Sequence, residues 1–134
     1  MSESEVQQLI QIEAAKHGIM LMRNNSGGFK DETGRMVFFG LGNTTKNDKL
    51  KSSDLIGIWP IPVYYNDNIP HGVNGNIWCG RFIAVEVKRP GWRFNPNDKR
   101  EQAQKAFIDL IISRGGVAGF CQSVDDFLML IGKA

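Results

Sequence analysis

Apolar positions recur at three- and four-residue spacing near both ends of the chain, while the middle carries short apolar runs separated by turn residues, a pattern of helices around strands. Ser2 to Lys16 reads as a helix, with Val6, Leu9, Ile10, Glu13 and His17 at helical spacing and Gly18 placed to stop it. Ser2 and Glu5 also match the capping box Ser-x-x-Glu. Ile19 to Arg23 is a short apolar strand, followed by a polar, glycine-rich turn from Arg23 to Gly28 whose donors suit either a loop or a phosphate. Phe29 to Phe39 predicts a hairpin about Asp31, Glu32, Thr33 and Gly34, with Met36 to Phe39 returning. Gly40 to Ser53 has little apolar content and reads as a solvated loop. Asp54 to Trp59 is apolar on both faces, as a central strand should be, and Pro60 and Pro62 are expected to end it. The stretch up to Cys79 shows no helical period and reads as a long connection.

Phe82 to Lys88 has the β-branched and aromatic content of a strand. Alternation puts Ile83, Val85 and Val87 on one face and Phe82, Ala84, Glu86 and Lys88 on the other. Pro90 and Gly91 break the pattern. Asn95 as cap and Pro96 at the first helical position predict a helix to Arg114, with Ala103, Ala106, Phe107, Leu110 and Ile111 as its apolar stripe. Gly115 and Gly116 end it, Val117 to Cys121 is another strand, and Ser123 with Asp126 caps a last helix carrying Val124, Phe127, Leu128 and Ile131. The order implies an α/β domain, and 134 residues suit one domain spanning 1–134.

An apolar fraction of 42% and a charged fraction of 22% are ordinary globular values. A net charge of +2 neither demands nor excludes a polyanionic partner, so any nucleic-acid argument rests on local patches. Cys79 and Cys121 lack metal-ligand spacing and make no disulfide framework, which fits a reducing compartment. No leader-like segment opens the chain and no run reaches the roughly 20 apolar residues of a membrane span, so a cytoplasmic protein is expected.

The chemistry gathers at strand ends. Glu86 and Lys88 share a face, and taken alone they fit an ion pair at a sheet edge better than a site. Asp54 on the preceding central strand changes the balance. Two carboxylates converging from adjacent strands hold a hard divalent cation such as Mg²⁺ or Mn²⁺ through oxygens, and a neighbouring ammonium stabilises charge developing on a phosphate. These are the parts of phosphodiester hydrolysis.

Ser53-Asp54-Leu55-Ile56-Gly57-Ile58, Ile83-Ala84-Val85-Glu86-Val87-Lys88-Arg89-Pro90-Gly91, Gln104 with Phe107, and Gly115-Gly116-Val117-Ala118-Gly119 together resemble the VRR-NUC branch of the PD-(D/E)XK nucleases, in its stand-alone phage or bacterial form. The resemblance covers most of the chain, including Glu5-Val6-Gln7 and the Arg23-Asn24-Asn25 turn. It implies a restriction-endonuclease-like core, a central mixed sheet of four to five strands flanked by helices. It makes Asp54 and Glu86 metal carboxylates, Lys88 the catalytic lysine, the Val87 carbonyl a further ligand, Gln104 the glutamine of the following helix and Glu5 the first-helix acid. Glu13 competes with Glu5, and Gln102 with Gln104. Ser53 stands where the superfamily has proline, and the Pro60 to Gly80 connection is longer than the family's hairpin, so Ile61, Val63, Tyr64, Tyr65, Ile69 and Trp78 are candidates for dimer contacts or substrate shape.

Cations around such a site would hold DNA phosphates: Arg23, Lys46, Lys49 and Lys51 before it, Arg89 and Arg93 bracketing Trp92, and Lys99, Arg100 and Lys105 on the next helix. Trp92 fits either base stacking or packing under its loop. The expected function is a metal-dependent DNA endonuclease selective for structure, foremost a homodimeric Holliday-junction resolvase. A flap-cutting, nicking or restriction-like nuclease shares the chemistry. A non-catalytic DNA-binding module is the alternative outside enzymes.

Overall fold

In the computed structural model, which describes residues 1–41, 49–63 and 77–133, the chain runs α1 (Glu3–Lys16), β1 (Met20–Arg23), β2 (Gly27–Lys30), β3 (Met36–Phe39), β4 (Leu55–Val63), β5 (Ile77–Val87), α2 (Lys99–Ser113), β6 (Val117–Cys121) and α3 (Val124–Leu130). β1, β4, β5 and β6 form one mixed sheet in that order, antiparallel except for the β5–β6 pair. A parallel pair needs a crossover, and α2 supplies it. The predicted hairpin is there but stands apart as a two-stranded sheet, β2 with β3, its first strand beginning two residues early at Gly27.

Alternation along β5 divides the core between two faces. Ile83, Val85 and Val87 pack with Leu21 and Leu55 against Val6, Ile10 and Ala14 of α1 and Phe127 of α3. On the other face Ala84 and Ala118 pack under Phe107 and Ile108 of α2, with Ile56, Phe82 and Phe120 around them. The second face carries Glu86 at its end, so the helix that covers the hydrocarbon also covers the carboxylate. Ser2 caps α1 through the predicted box with Glu5, and Ser123 caps α3 by accepting from the Asp126 amide.

Three boundaries differ from expectation. Pro60 and Pro62 do not end β4, which continues to Val63 opposite Ile77. β1 covers β4 only from Leu55 to Ile58, so beyond that point one edge of β4 is free of β1, and a missing amide there costs no ladder bond. The long connection is consequently shorter than predicted, because Ile77 to Cys79 already belong to β5. Helix α2 begins at Lys99 with Asp98 as its cap, not at Asn95 and Pro96. Asn95 instead accepts from the Asn97 amide through its side chain and from the Asp98 amide through its carbonyl, making a turn that leads into the helix. Lys46, Tyr64, Tyr65 and Ile69 lie outside the described residues. Among the described residues no helix is long and apolar enough to cross a membrane.

Gly57 lets β1 approach β4, since a Cβ there would sit 1.7 Å from the Met20 carbonyl oxygen. Gly57→Ala should therefore cost at least ~2 kcal/mol and lower Tm by roughly 6 °C or more in a thermal melt. A wild-type Tm for this variant would contradict the β1–β4 register.

Candidate active site

The β4–β5 ladder ends with Leu55 opposite Val85, so the next step places Asp54 across from Glu86 on the α2 face. Asp54 is tied down from both sides. The Asn24 amide nitrogen donates to the Asp54 carbonyl at 2.7 Å, and Asp54 Oδ2 accepts from the Val87 amide at 2.9 Å. Asn24 also donates through Nδ2 to Ser52 Oγ at 2.9 Å and to the Ser53 carbonyl at 3.0 Å, while its Oδ1 accepts from the Leu41 amide at 3.3 Å. The donors of the Arg23-Asn24-Asn25 turn that suggested phosphate binding are thus spent, at Asn24, on holding residues 52–54 in place.

Gln104 lies between the two charges of β5's end. Its Nε2 donates to Glu86 Oε1 at 2.9 Å, and its Oε1 accepts from Lys88 Nζ at 2.8 Å. A carboxylate only accepts and an ammonium only donates, so this orientation of the amide satisfies both partners. Among the described residues Glu86 and Lys88 form no direct ion pair, which sets aside the simple sheet-edge pairing. Glu86, Lys88 and Gln104 are 4%, 9% and 1% exposed, so the chain is buried along its whole length. Lys88 Nζ also lies 5.2 Å from the centre of the Trp92 ring and 5.9 Å from that of Phe120.

Glu86 Oε2 is buried and has no hydrogen-bond partner among the described residues. Burial, followed by the charge of Asp54 and a hydrogen bond that the two carboxyls can make only by sharing a proton, pushes the Glu86 carboxyl up from 4.5 to about 8, against the pull of Lys88 and Arg100; once both are ionised, Oε2 is left without a donor. Two facing carboxylates, one with an unpartnered buried oxygen, fit a hard cation bound through oxygen. Among the described residues no group of three or more His, Cys, Asp or Glu side chains gathers to hold an ion, so a cation at this point would have only the Asp54 and Glu86 carboxylates from side chains and would need backbone, water or phosphate oxygens besides. Ser53 Oγ, next to Asp54 in the chain, is likewise buried without a hydrogen-bond partner among the described residues.

The other predicted residues divide by position. Lys51 and Arg100 belong to the centre electrostatically. Partial burial and then Arg100 lower the Lys51 pKa, while Glu86 and Asp54 oppose that shift. Arg100 sits one helical turn before Gln104, which puts it on the same side of α2. Lys49 and Lys99 line a 420 Å³ groove along α2 with Gln102, Ala103 and Ala106. Arg23 is exposed at the end of β1 opposite Leu55, and Arg89 and Arg93 are exposed on the turn after Lys88. Lys105 pairs with Asp109 at 2.7 Å, which occupies its charge. Gln102 is exposed and Gln104 buried, deciding between them for the position over Glu86. Glu5 is exposed and engaged with Ser2 in the capping box, and Glu13 bonds His17 and Lys16 along α1. The Val87 contact with Asp54 is made by its amide.

The role of Asn24 and the part of Glu101 lay outside the sequence reading. Asn24 stood out only as one residue of a polar turn, and the partners that give it its role lie 28 and 29 residues away. Glu101 Oε1 accepts from both Trp92 Nε1 and the Asn95 amide at 3.0 Å, and the Pro90-Gly91-Trp92 turn signal was the available hint that Trp92 folds back toward the strand. The chain matches no family model, no curated protein and no solved structure.

The raised Glu86 pKa fixes a sign for metal-free stability. The folded chain keeps the Glu86 proton to about pH 8, whereas the unfolded chain releases it near 4.5, so stability falls as pH rises through that window. Chemical denaturation in chelator should show a slope of up to about 1.4 kcal/mol per pH unit that Glu86→Gln removes. An identical pH profile in the two proteins would contradict the environment described for Glu86.

Proposed function

We propose that the chain is a metal-dependent DNA endonuclease of the VRR-NUC type, built on a restriction-endonuclease-like core, that hydrolyses phosphodiester bonds in branched DNA as a homodimer. The observation that carries this reading is the buried, unpartnered Glu86 Oε2 beside Asp54, with Gln104 linking Glu86 to Lys88. Asp54 and Glu86 would hold Mg²⁺ or Mn²⁺, with the Val87 carbonyl as a further oxygen. When bound, such a cation polarises a phosphodiester and lowers the pKa of a coordinated water.

The remaining work falls to the chain's own groups. Lys88, held by Gln104 and not neutralised by Glu86, offers an ammonium to the charge that develops on phosphate. Lys51 and Arg100 place further positive charge around the carboxylates, and Lys49, Lys99, Arg89, Arg93 and Arg23 supply backbone contacts that carry no sequence information. Glu5 stays with its cap, so its role is to fix the start of α1. A second copy of the chain is supported by an uncovered apolar stretch of the α2 face, where Met20, Met22 and Ile58 remain exposed beyond the helix. Two sites in a dimer suit the two cuts needed across a four-way junction.

A cleavage panel of four-way junction, flap, nicked, linear duplex and single-stranded DNA with Mg²⁺ or Mn²⁺ tests the proposal. Wild type should prefer the junction, and Asp54→Ala should lose at least ~100-fold in rate while binding DNA as well or better, because it removes negative charge facing phosphate. Metal-dependent cleavage that survives both Asp54→Ala and Lys88→Ala would refute the site, and a preference for flaps or linear duplex would refute the junction.

A further inference from the structure

Lys88 ends the catalytic strand and the chain turns sharply behind it. Pro90 followed by Gly91 at φ 89° matches a type II turn, closed by the Trp92 amide donating to the Arg89 carbonyl at 3.2 Å. Gly91 also donates to Gln122 Oε1 at 2.9 Å, which fastens the turn to the end of β6. The turn returns Trp92 over the strand it has just left. The indole lies 4.7 Å from the Phe120 ring, and Phe94 completes the cluster at 5.9 Å from Phe120 and 6.3 Å from Trp92. The indole N–H is held by Glu101 from the first turn of α2, one helical turn before the residue that binds Lys88.

We propose that Trp92 is a positioning residue for Lys88: the Pro-Gly turn and Glu101 fix its ring against the ammonium, and Gln104 takes the opposite constraint through a hydrogen bond. A lysine side chain has four rotatable carbons and one hydrogen bond does not specify its path. Two ring faces, at 5.2 and 5.9 Å from Nζ, leave it cationic and attract it without supplying a counter-charge, which a carboxylate in the same place would do. The ammonium is therefore placed without a direct ion pair among the described residues. The catalytic consequence rests on the nuclease reading, whereas the placement of Lys88 by Trp92 does not.

The experiment combines steady-state cleavage with NMR of the Lys88 side-chain methylenes, assigned by their loss in Lys88→Arg. Trp92→Leu should lower kcat about tenfold with KM within about twofold, and Trp92→Phe should recover kcat to within about threefold. The Lys88 signals should carry an upfield ring-current displacement in wild type and in Trp92→Phe, and in Trp92→Leu keep only the smaller part that Phe120 supplies. Gly91→Ala, which keeps the indole but strains the turn, should shift the same signals and lower kcat, and it serves if Trp92→Leu does not fold. Lys88 signals unmoved by Trp92→Leu overturn the proposal whatever the rate, and a rise in KM alone overturns it in favour of Trp92 stacking on a base. Should wild type cleave none of the DNAs, the nuclease reading falls, and the Lys88 signals still decide whether Trp92 holds it.

Discussion

A carboxylate and an ammonium two residues apart on one face of a buried strand would collapse onto each other unless something stood between them, and in this chain the Gln104 amide does. It presents a donor to Glu86 and an acceptor to Lys88, so each charge meets the half of the amide it needs. Among the described residues Glu86 keeps one buried oxygen without a donor, and Lys88 makes no direct ion pair. A direct ion pair would have satisfied both groups and left nothing for a cation or a phosphate. The fold around Gln104 follows from the same requirement. Phe107 and Ile108 anchor α2 on the sheet face that carries Glu86, which brings Gln104 down onto the carboxylate.

Burial makes this arrangement costly and therefore informative. Removing charged groups from water without full pairing is unfavourable, and Glu86 shows it in a pKa driven up to about 8. Lys88, Arg100 and the Gln104 amide relieve only part of that cost. Asp54, the nearest group of the same charge, adds to it, and it is held in place by the Val87 amide and by Asn24. A chain that only needed a stable sheet end would gain by replacing either carboxylate with an apolar residue. A cation between the carboxylates would recover that stability, and Lys51 and Arg100 place positive charge around the same ground.

Much of the scaffold was legible because its signals are local. Alternation along Phe82 to Lys88 divided the two faces of β5, the Ser2–Glu5 box and the Ser123 cap started their helices, and Gly115-Gly116 ended α2. Where two local signals competed, the tertiary context chose. Asn95-Pro96 is a sound helix start, yet Asp98 capped the helix, because the earlier residues form the turn that joins Trp92 to Glu101. Pro60 and Pro62 stop strands in general, but not on an edge that β1 leaves uncovered. Within the candidate site, Asp54, Glu86, Lys88 and Gln104 were singled out from spacing and resemblance, and the structure brings them together by register and hydrogen bonds. Spacing could not show that Gln104 separates the charges, that Asn24 reaches back to Ser52 and Ser53, or that an indole covers Lys88, since each depends on chain segments meeting in space.

The central claim is that Asp54 and Glu86 form a divalent-cation centre. It is tested most directly by Mn²⁺ binding followed by electron paramagnetic resonance at neutral pH, with wild type and Glu86→Gln compared on folded protein. The account predicts a Mn²⁺ population on wild type that Mg²⁺ displaces, and an affinity weaker by about tenfold or more in Glu86→Gln. Equal Mn²⁺ binding by the two proteins would contradict it.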